Sequence, residues 1–299
     1  MIEYVLCYDV GGTEIKYNVM DKNGNLVGKT SNEPTPKTKA EFVNFIECLI
    51  ANSPYKINGL AASMPGFINS EKGYLERGGA ILYFDETDFF ATFAHLNIPM
   101  SVDNDARCVA MAEFGDGAAK GCENFACLTI GTGIGVGLMV NGKLVEGKHS
   151  RAGEFGHNIV KRSDGQSYNY HQTASMKALI EMYCDLKQLP LDAEVTGKDI
   201  FAAAETDSTV KALLAEWYRN LAIAIFNLTT TFDFEKILIG GGVSARPELI
   251  DNIVAAITDI DAAAVWPIFN IPVEACKYRN EAGLIGAFYR FKASHSKLF

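Results

Sequence analysis

The feature that most constrains the fold of this chain is an apolar hairpin with a glycine-rich turn. In residues 128–142, LTIGTGIGVGLMVNG, one apolar strand leads into a turn that carries Gly131, Thr132 and Gly133, and a second strand ends at an Asn-Gly hairpin turn. Glycines have no side chains, so backbone N–H groups in this turn can approach an anion such as a phosphate directly. Taken alone, the same residues also fit a tight hairpin whose glycines only permit positive φ.

The same unit occurs near the beginning of the chain. Residues 4–10 and 15–20 are predicted strands on either side of a turn with Gly11, Gly12 and Thr13, and an Asn-Gly hairpin turn follows. The two turns are 119 residues apart. The repetition predicts two related halves whose glycine turns face one cleft and hold the phosphate chain of a nucleotide from both sides.

Length and charge narrow the class of protein. With 299 residues, the chain is long enough for two domains with large cores. Its formal net charge of −9 argues against a nucleic-acid partner, which normally requires a basic surface. No apolar run reaches the length of a membrane span and no signal peptide precedes the first strand, so we expect a cytoplasmic protein without a membrane partner.

Five motifs, in order along the chain, give a family resemblance. They are DVGGTEIK from residue 9, VDNDA from 102, LTIGTGIGVG from 128, AGEFGH from 152 and ILIGGGVSARPEL from 237. Over nearly its whole length the chain resembles the ROK family of sugar kinases, within the actin-like ATPase superfamily. RGGAILYFDE, from residue 77, looks most like the β-glucoside kinase branch of that family.

The resemblance implies an α/β fold with two domains, the actin-like (ribonuclease H-like) ATPase fold, and a cleft between the domains. We expect a smaller N-terminal domain at residues 1–117, joined by a C-terminal helix at about 286–299, and a larger domain at 118–285. Apolar spacing and cap residues predict helices at 38–51, 104–114, 175–186, 198–205, 210–232 and 280–291, and a further helix containing Pro247.

The resemblance also implies ATP and Mg²⁺ as cofactors. Asp9 would help to hold Mg²⁺ through water, as suits a cation that binds one carboxylate plus phosphates, although an Asp before a glycine turn is also explained as a turn cap. Gly240, Gly241 and Gly242 would seat the adenosine. The fragment GGGVSA also fits a loose dinucleotide fingerprint, but no clear strand ending in an acid follows about 20 residues later, so we prefer the adenosine interpretation.

Three polar residues, Asp103, Asn104 and Asp105, lie where a predicted strand ends and a helix begins. Asp and Asn are preferred N-caps and acids suit the first helical turn, so capping explains one of them. The family pattern N-D-A falls on Asn104, Asp105 and Ala106. It implies that Asp105 is the base that takes the proton from the attacking sugar hydroxyl, while Asn104 hydrogen-bonds a neighbouring hydroxyl.

Further sugar contacts are implied by the motif E-x-G-H, which places Glu154 and His157 on sugar hydroxyls, and by a turn at Gly66 that borders the sugar. If the family resemblance is set aside, Gly66 is explained as an ordinary turn glycine and His157 is explained as a structural hydrogen-bonding residue. The family's sugar-binding Glu falls on or near His171, so a contact of His171 with the sugar is left open.

No zinc site is predicted. Most ROK proteins continue after this motif into a zinc motif with three cysteines, whereas residues 161–177 contain none. His157 and His171 alone cannot complete a tetrahedral structural site, which takes four protein ligands. The seven cysteines of the chain include no C-x-x-C pair and most lie in apolar stretches, so we expect reduced core thiols.

An aromatic block at residues 77–90 is where we expect sugar specificity to lie. It contains Tyr83, Phe84, Phe89 and Phe90, whose rings can stack on sugar rings. The alternative is a loop that tucks these rings into the core.

The predicted function is an ATP-dependent kinase that phosphorylates the 6-hydroxyl of the non-reducing glucose of β-glucosides such as cellobiose. One alternative is a glucokinase or other ROK hexose kinase. A second is a non-catalytic, sugar-sensing regulator, but Asp105 and both glycine turns are intact, and the eight residues before Asp9 leave no room for a helix-turn-helix. The expected partners are a small-molecule sugar and, as in relatives, a second copy of the chain in a homodimer.

Overall fold

The computed structural model describes residues 2–163, 165–190 and 192–299. The strands, in chain order, are β1 (Tyr4–Val10), β2 (Glu14–Asp21), β3 (Leu26–Pro34), β4 (Leu60–Met64), β5 (Phe67–Asn69), β6 (Tyr74–Arg77), β7 (Thr87–Asp88), β8 (Met100–Asn104), β9 (Phe125–Ile130), β10 (Ile134–Val140), β11 (Lys143–Leu144), β12 (Ile159–Ser163), β13 (Gln166–Asn169), β14 (Lys236–Gly240) and β15 (Val273–Ala275). The helices are α1 (Lys39–Ala51), α2 (Phe89–Thr92), α3 (Asp105–Asp116), α4 (Tyr170–Thr173), α5 (Met176–Lys187), α6 (Gly197–Ala203), α7 (Ser208–Phe232), α8 (Glu248–Ala262) and α9 (Ala282–Ser294). Within the described residues, no helix is both long and apolar enough to cross a membrane.

The helices predicted from apolar spacing are confirmed, and side-chain caps fix where several of them begin. Thr38, Asn104 and Ser175 each accept a hydrogen bond from a backbone N–H in the first turn of α1, α3 and α5, respectively. The prediction that a helix contains Pro247 is wrong by one residue, because α8 begins at Glu248, directly after Pro247. Proline lacks an N–H to donate, which restricts it to the beginning of a helix.

The chain packs as two compact units. The first comprises the residues up to Lys120, the segment Leu144–Ala152 and Asn280–Phe299, and the second comprises Gly121–Lys143 and Gly153–Arg279. The segment Leu144–Ala152, which the predicted boundaries placed in the larger domain, packs with the first unit. Ion pairs of Glu146 with Arg290 and of Arg151 with Glu76 join this segment to the rest of the first unit.

The first unit is built on a five-stranded sheet in the order β3-β2-β1-β4-β8. Strand β1 is antiparallel to β2 and parallel to β4, and β4 is parallel to β8. The carboxyl ends of β1, β4 and β8 therefore lie at one edge of the sheet. The fully buried rings of Tyr8, Phe42 and Phe84 pack edge to face in its core, with ring centroids 5.0–5.9 Å apart.

The second unit repeats this order in the sheet β11-β10-β9-β14-β15. Strand β9 is antiparallel to β10 and parallel to β14, as β1 is to β2 and β4. The two related halves expected from the repeated glycine turns are confirmed by this shared strand order. The unit also contains a small sheet of β12 and β13 and the helices α4 to α8, of which α7 is long and amphipathic.

The aromatic block at residues 77–90 differs from the prediction that it offers its rings to a sugar. Phe84 and Phe89 are 0% exposed and belong to the core of the first unit, so the prediction is wrong for both. Tyr83 is half-buried and donates its hydroxyl to the carbonyl oxygen of Pro36 at 2.5 Å. Burying a large aromatic side chain is worth about 2–3 kcal/mol, which favours the core position over an exposed one.

The cysteines are free thiols, as expected. Five of them are buried, Cys122 is half-buried and Cys48 is exposed; the buried ones are Cys7, Cys108, Cys127, Cys184 and Cys276. Burial raises the pKa of Cys7 and Cys108, which keeps these two thiols protonated and unreactive.

Candidate functional site

The predicted catalytic and magnesium residues of the first unit lie together at the carboxyl edge of its sheet. In the strand register, Asp9 of β1 lies opposite Ser63 of β4, and Ser63 lies opposite Asp103 of β8. Met64 lies opposite Asn104, the last residue of β8. Parallel neighbouring strands thus bring polar residues that are distant in sequence to one edge, where ligands bind in open α/β sheets.

Asp9 is a desolvated carboxylate with one committed oxygen. Ser63 donates its hydroxyl to Asp9 Oδ1 at 2.6 Å. Burial raises the pKa of Asp9, while the Ser63 hydrogen bond and the charge of Lys16 lower it. Gly283 in the first turn of α9 packs so closely on this carboxylate that a Cβ there would collide with it. A single carboxylate that lacks full compensation suits a hard cation that keeps most of its waters, so the residues present fit Mg²⁺.

The glycine turn that follows Asp9 is exposed and is held by backbone hydrogen bonds. Gly11 N–H donates to the Glu14 carbonyl oxygen at 2.8 Å, which closes the turn. Thr35 N–H donates to the Thr13 carbonyl oxygen at 2.9 Å, and the Thr35 hydroxyl donates to the Gly11 carbonyl oxygen at 2.8 Å. The predicted phosphate residues Gly11, Gly12 and Thr13 therefore form a fixed, solvent-facing loop.

The three polar residues at the beginning of α3 have three different environments. Asp103 is 0% exposed and pairs with Arg107 Nε and Arg290 Nε, each at 2.8 Å. Asn104 caps α3 by accepting from the backbone N–H groups of Ala106 and Arg107. Asp105, the first residue of α3, is exposed. Of the two carboxylates, only that of Asp105 is therefore placed to meet a substrate.

Asn104 also links the helix to Gly66. Its Nδ2 donates to the Gly66 carbonyl oxygen at 3.1 Å, while its Oδ1 is used by the cap. Gly66 has a φ of +102°, and a Cβ there would collide with the backbone of Arg77 and Gly79. Asn104 is thus hydrogen-bonded to a turn residue, Gly66, that packs closely on the loop at residues 77–79. Direct contacts of Asn104 and Gly66 with a sugar stay predictions.

In the second unit, two glycine turns lie side by side at the edge of the sheet. Strands β9 and β14 are parallel and in register, with Gly240 opposite Thr129, so the turns that follow them are neighbours. At Gly131 and Gly242, a Cβ would meet no atom within 4 Å, so the backbone at these positions is open. The structure brings together the predicted phosphate residues Gly131, Thr132 and Gly133 and the predicted adenosine residues Gly240, Gly241 and Gly242.

The predicted sugar residues of the second unit form a cluster with a third residue. His157 Nε2 lies 3.9 Å from Glu154 Oε2, and both side chains are partly exposed. The rings of His157 and His171 meet edge to face with their centroids 4.6 Å apart. His171 Nδ1 accepts a hydrogen bond from Ile134 N–H at 3.1 Å, which ties the cluster to the strand after the glycine turn.

No local sequence pattern identifies the residues that hold these groups in place. Arg290 lies more than 180 positions from Asp103, and Ser63 looks like any small residue in a buried strand. Gly283 carries no local signal of its contact with Asp9. Only the register of the parallel strands and the return of the C-terminal helix α9 reveal these pairs.

No group of three or more His, Cys, Asp or Glu side chains among residues 2–163, 165–190 and 192–299 is arranged to hold a metal ion. The absence of a structural zinc stays a prediction, to be tested on the purified protein.

Comparison with known proteins gives a consistent result. The sequence profile of the ROK family matches residues 5–294. The chain is 32% identical over 292 residues to the beta-glucoside kinase of Listeria monocytogenes, covering 96% of this chain and 97% of the relative. It is 33% identical over 295 residues to the beta-glucoside kinase of Klebsiella pneumoniae, covering 96% and 95%. The structure of a ROK family glucokinase from Streptomyces griseus, in complex with glucose and AMPPNP, superposes with a TM-score of 0.79 at 25% identity, covering 95% and 97%. The predicted actin-like ATPase fold is thereby confirmed.

Proposed function

The chain belongs to the ROK family and is similar to its sugar kinases, and from this we propose that it phosphorylates the 6-hydroxyl of the non-reducing glucose of a β-glucoside such as cellobiose, with ATP as the donor. The proposal of a β-glucoside rests on the two beta-glucoside kinases that it resembles over nearly the whole chain. The proposal of a kinase rests on the same relatives and on the AMPPNP complex of the similar glucokinase.

The single observation that carries the assignment of the base is the separation of roles at the beginning of α3. Asp103 is neutralised by two arginines and Asn104 is occupied in capping, which leaves Asp105 exposed at the helix N-terminus. At this first position of α3, the helix dipole favours the negative charge of a carboxylate. Asp105 can therefore accept the proton of the attacking sugar hydroxyl.

Phosphoryl transfer requires little covalent chemistry from the protein. The transition state is loose, so the residues have to align the hydroxyl, accept its proton and hold the phosphates. Asp105 aligns and deprotonates the 6-hydroxyl in this account, and Glu154 and His157 bind other sugar hydroxyls. Gly11 N–H and Gly131 N–H are used inside their own turns, so the N–H groups of residues 12–13 and 132–133 are the ones that would bind the phosphates.

Asp9 would hold Mg²⁺ through water in this account. When bound, the ion neutralises charge on the transferred phosphoryl group and its leaving group. Ser63 would contribute by fixing one carboxylate oxygen of Asp9, Oδ1, through its hydroxyl.

One alternative is favoured by a specific finding, the similarity to a glucokinase solved with glucose bound. The two functions differ in whether the enzyme accepts a substituent on the anomeric oxygen. The test is to measure ATP consumption in the presence of Mg²⁺ with cellobiose, methyl β-D-glucoside, glucose, mannose and N-acetylglucosamine. Robust turnover of the two β-glucosides supports the proposal, turnover of glucose alone supports the glucokinase, and no turnover of any sugar contradicts a catalytic role.

A further inference from the structure

His171 differs from its neighbours Glu154 and His157 because a backbone hydrogen bond fixes the protonation state of one of its ring nitrogens. Ile134 N–H donates a hydrogen bond to Nδ1 of His171 at 3.1 Å. An N–H group can donate only to an unprotonated nitrogen, so Nδ1 carries no hydrogen. Burial and the neighbouring His157 lower the pKa of His171, so the ring is neutral near pH 7 and its single proton is on Nε2.

The ring is also held in position. A Cβ at Gly133 would lie 2.9 Å from Nδ1, and a Cβ at Gly156 would collide with the edge of the ring that carries Cε1 and Nε2. Glycine at both positions lets the imidazole lie between the glycine turn and the loop that carries Glu154 and His157. Within the described part of the chain, no protein group hydrogen-bonds to Nε2. His171 therefore presents a fixed hydrogen-bond donor, and its only acceptor atom is used by Ile134.

The oxygens of a β-glucoside divide into two chemical classes. Its hydroxyl groups both donate and accept hydrogen bonds, whereas the ring oxygen and the glycosidic oxygen carry no hydrogen and only accept. A carboxylate such as that of Glu154 accepts only and therefore pairs with hydroxyls. A group that only donates, such as His171 Nε2–H, can pair with an oxygen that only accepts. His171 is the histidine of this cluster whose N–H is fixed on one ring nitrogen by a backbone hydrogen bond.

We propose that His171 makes the site compatible with β-glucosides by donating a hydrogen bond from Nε2 to the glycosidic oxygen. This inference rests on the proposed function, because it assumes that the cluster binds the sugar. Free glucose carries a hydroxyl at the same carbon, which accepts this hydrogen bond too. His171 thus permits a glycoside without excluding the free sugar, whereas a carboxylate at this position would repel the glycosidic oxygen and still accept from the glucose hydroxyl.

The experiment compares two isosteric variants, His171→Gln and His171→Glu. In either variant a side-chain oxygen can accept from Ile134 N–H in place of Nδ1, but only Gln retains a donor for the ligand. The measured quantity is kcat/KM for methyl β-D-glucoside divided by kcat/KM for glucose. Because each protein is its own control, a general loss of activity cancels from this ratio.

We expect His171→Gln to keep the ratio within about threefold of wild type. His171→Glu should lower the ratio at least about tenfold, because the glycosidic oxygen would then face a carboxylate, a second acceptor, and lose its hydrogen bond. A purely structural His171 would affect both substrates alike and leave the ratio unchanged in His171→Glu, which overturns the inference. An equal loss of the ratio in both variants overturns it as well. If the wild-type protein phosphorylates no β-glucoside at all, the proposed function itself fails. This failure is seen in the wild-type protein alone, so it cannot be confused with a result of the two variants.

Discussion

Replacing Arg290 with Met would leave a fully buried carboxylate with one arginine instead of two. Asp103 is 0% exposed and lies 2.8 Å from both Arg107 Nε and Arg290 Nε. Removing one partner of a buried ion pair typically costs about 3–5 kcal/mol, because the remaining charge stays buried without compensation. Arg107 still faces Asp103, and Met preserves part of the apolar stem, so we expect the lower end, about 3 kcal/mol.

The assay is the free energy of unfolding from urea denaturation, supported by the melting temperature. In domains of 150–250 residues, about 1 kcal/mol shifts the melting temperature by about 2–4 °C, so the expected decrease is about 6–12 °C. Lys120→Met is the matched control, since it removes one partner of the exposed Lys120–Asp116 pair at 2.7 Å and should cost less than about 1 kcal/mol.

A second variant separates the charge effect from a loss of packing. Adding Asp103→Asn to Arg290→Met removes the uncompensated charge, so the double variant should be more stable than the sum of the two single losses predicts. If Arg290→Met costs no more than Lys120→Met, or if the two losses simply add, the buried charges of Asp103 and Arg290 do not interact as we argue.

Three further predictions concern the base, the aromatic block and zinc. Asp105→Asn keeps the shape of the side chain but removes the proton acceptor, so kcat should fall by about 10²–10⁴-fold while sugar binding measured by calorimetry survives; a variant that retains more than about a tenth of wild-type turnover contradicts the role of Asp105. Phe84→Ala should destabilise the protein by about 3–5 kcal/mol because the ring is fully buried, whereas Leu82→Ala, at a residue that is 73% exposed, should change stability by less than about 0.5 kcal/mol; similar denaturation midpoints for the two variants would disprove the core position of Phe84. Because residues 161–177 contain no cysteine, elemental analysis should find well under one zinc per chain, and a chelator should leave the melting temperature unchanged; one tightly held zinc per chain is the contrary result.

The sequence predicts the fold well where local patterns decide it. The two glycine turns with their flanking strands predict the repeated sheet, because strand–turn–strand signals are local and each half carries its own. The helices follow from apolar spacing and from caps such as Thr38 and Ser175. Short strands such as β5 and β15 have no comparable signal, since three residues are too few to show a period.

The candidate site is predicted in part. Motifs predict Asp9, Asp105 and Glu154 as site residues. The structure places Asp9 and Asn104, the residue before Asp105, at one edge of the sheet. The partners of Asp103 depend on the return of α9 from the far end of the chain, which no local pattern encodes. The position of Phe84 could not be predicted for a different reason. An aromatic residue beside glycines has the same sequence pattern whether its ring binds a ligand or packs in a core.

A competition between cellobiose and glucose tests directly whether the protein is a β-glucoside kinase. The reaction contains both sugars at equal concentration, Mg²⁺, and an amount of ATP that is too small to phosphorylate all of either sugar. The phosphorylated products are identified and quantified by ³¹P and ¹³C nuclear magnetic resonance. We predict at least about tenfold more cellobiose phosphate than glucose phosphate, with the phosphate on O6 of the non-reducing ring. Glucose 6-phosphate as the main product, or phosphate at any other position of cellobiose, would contradict the account.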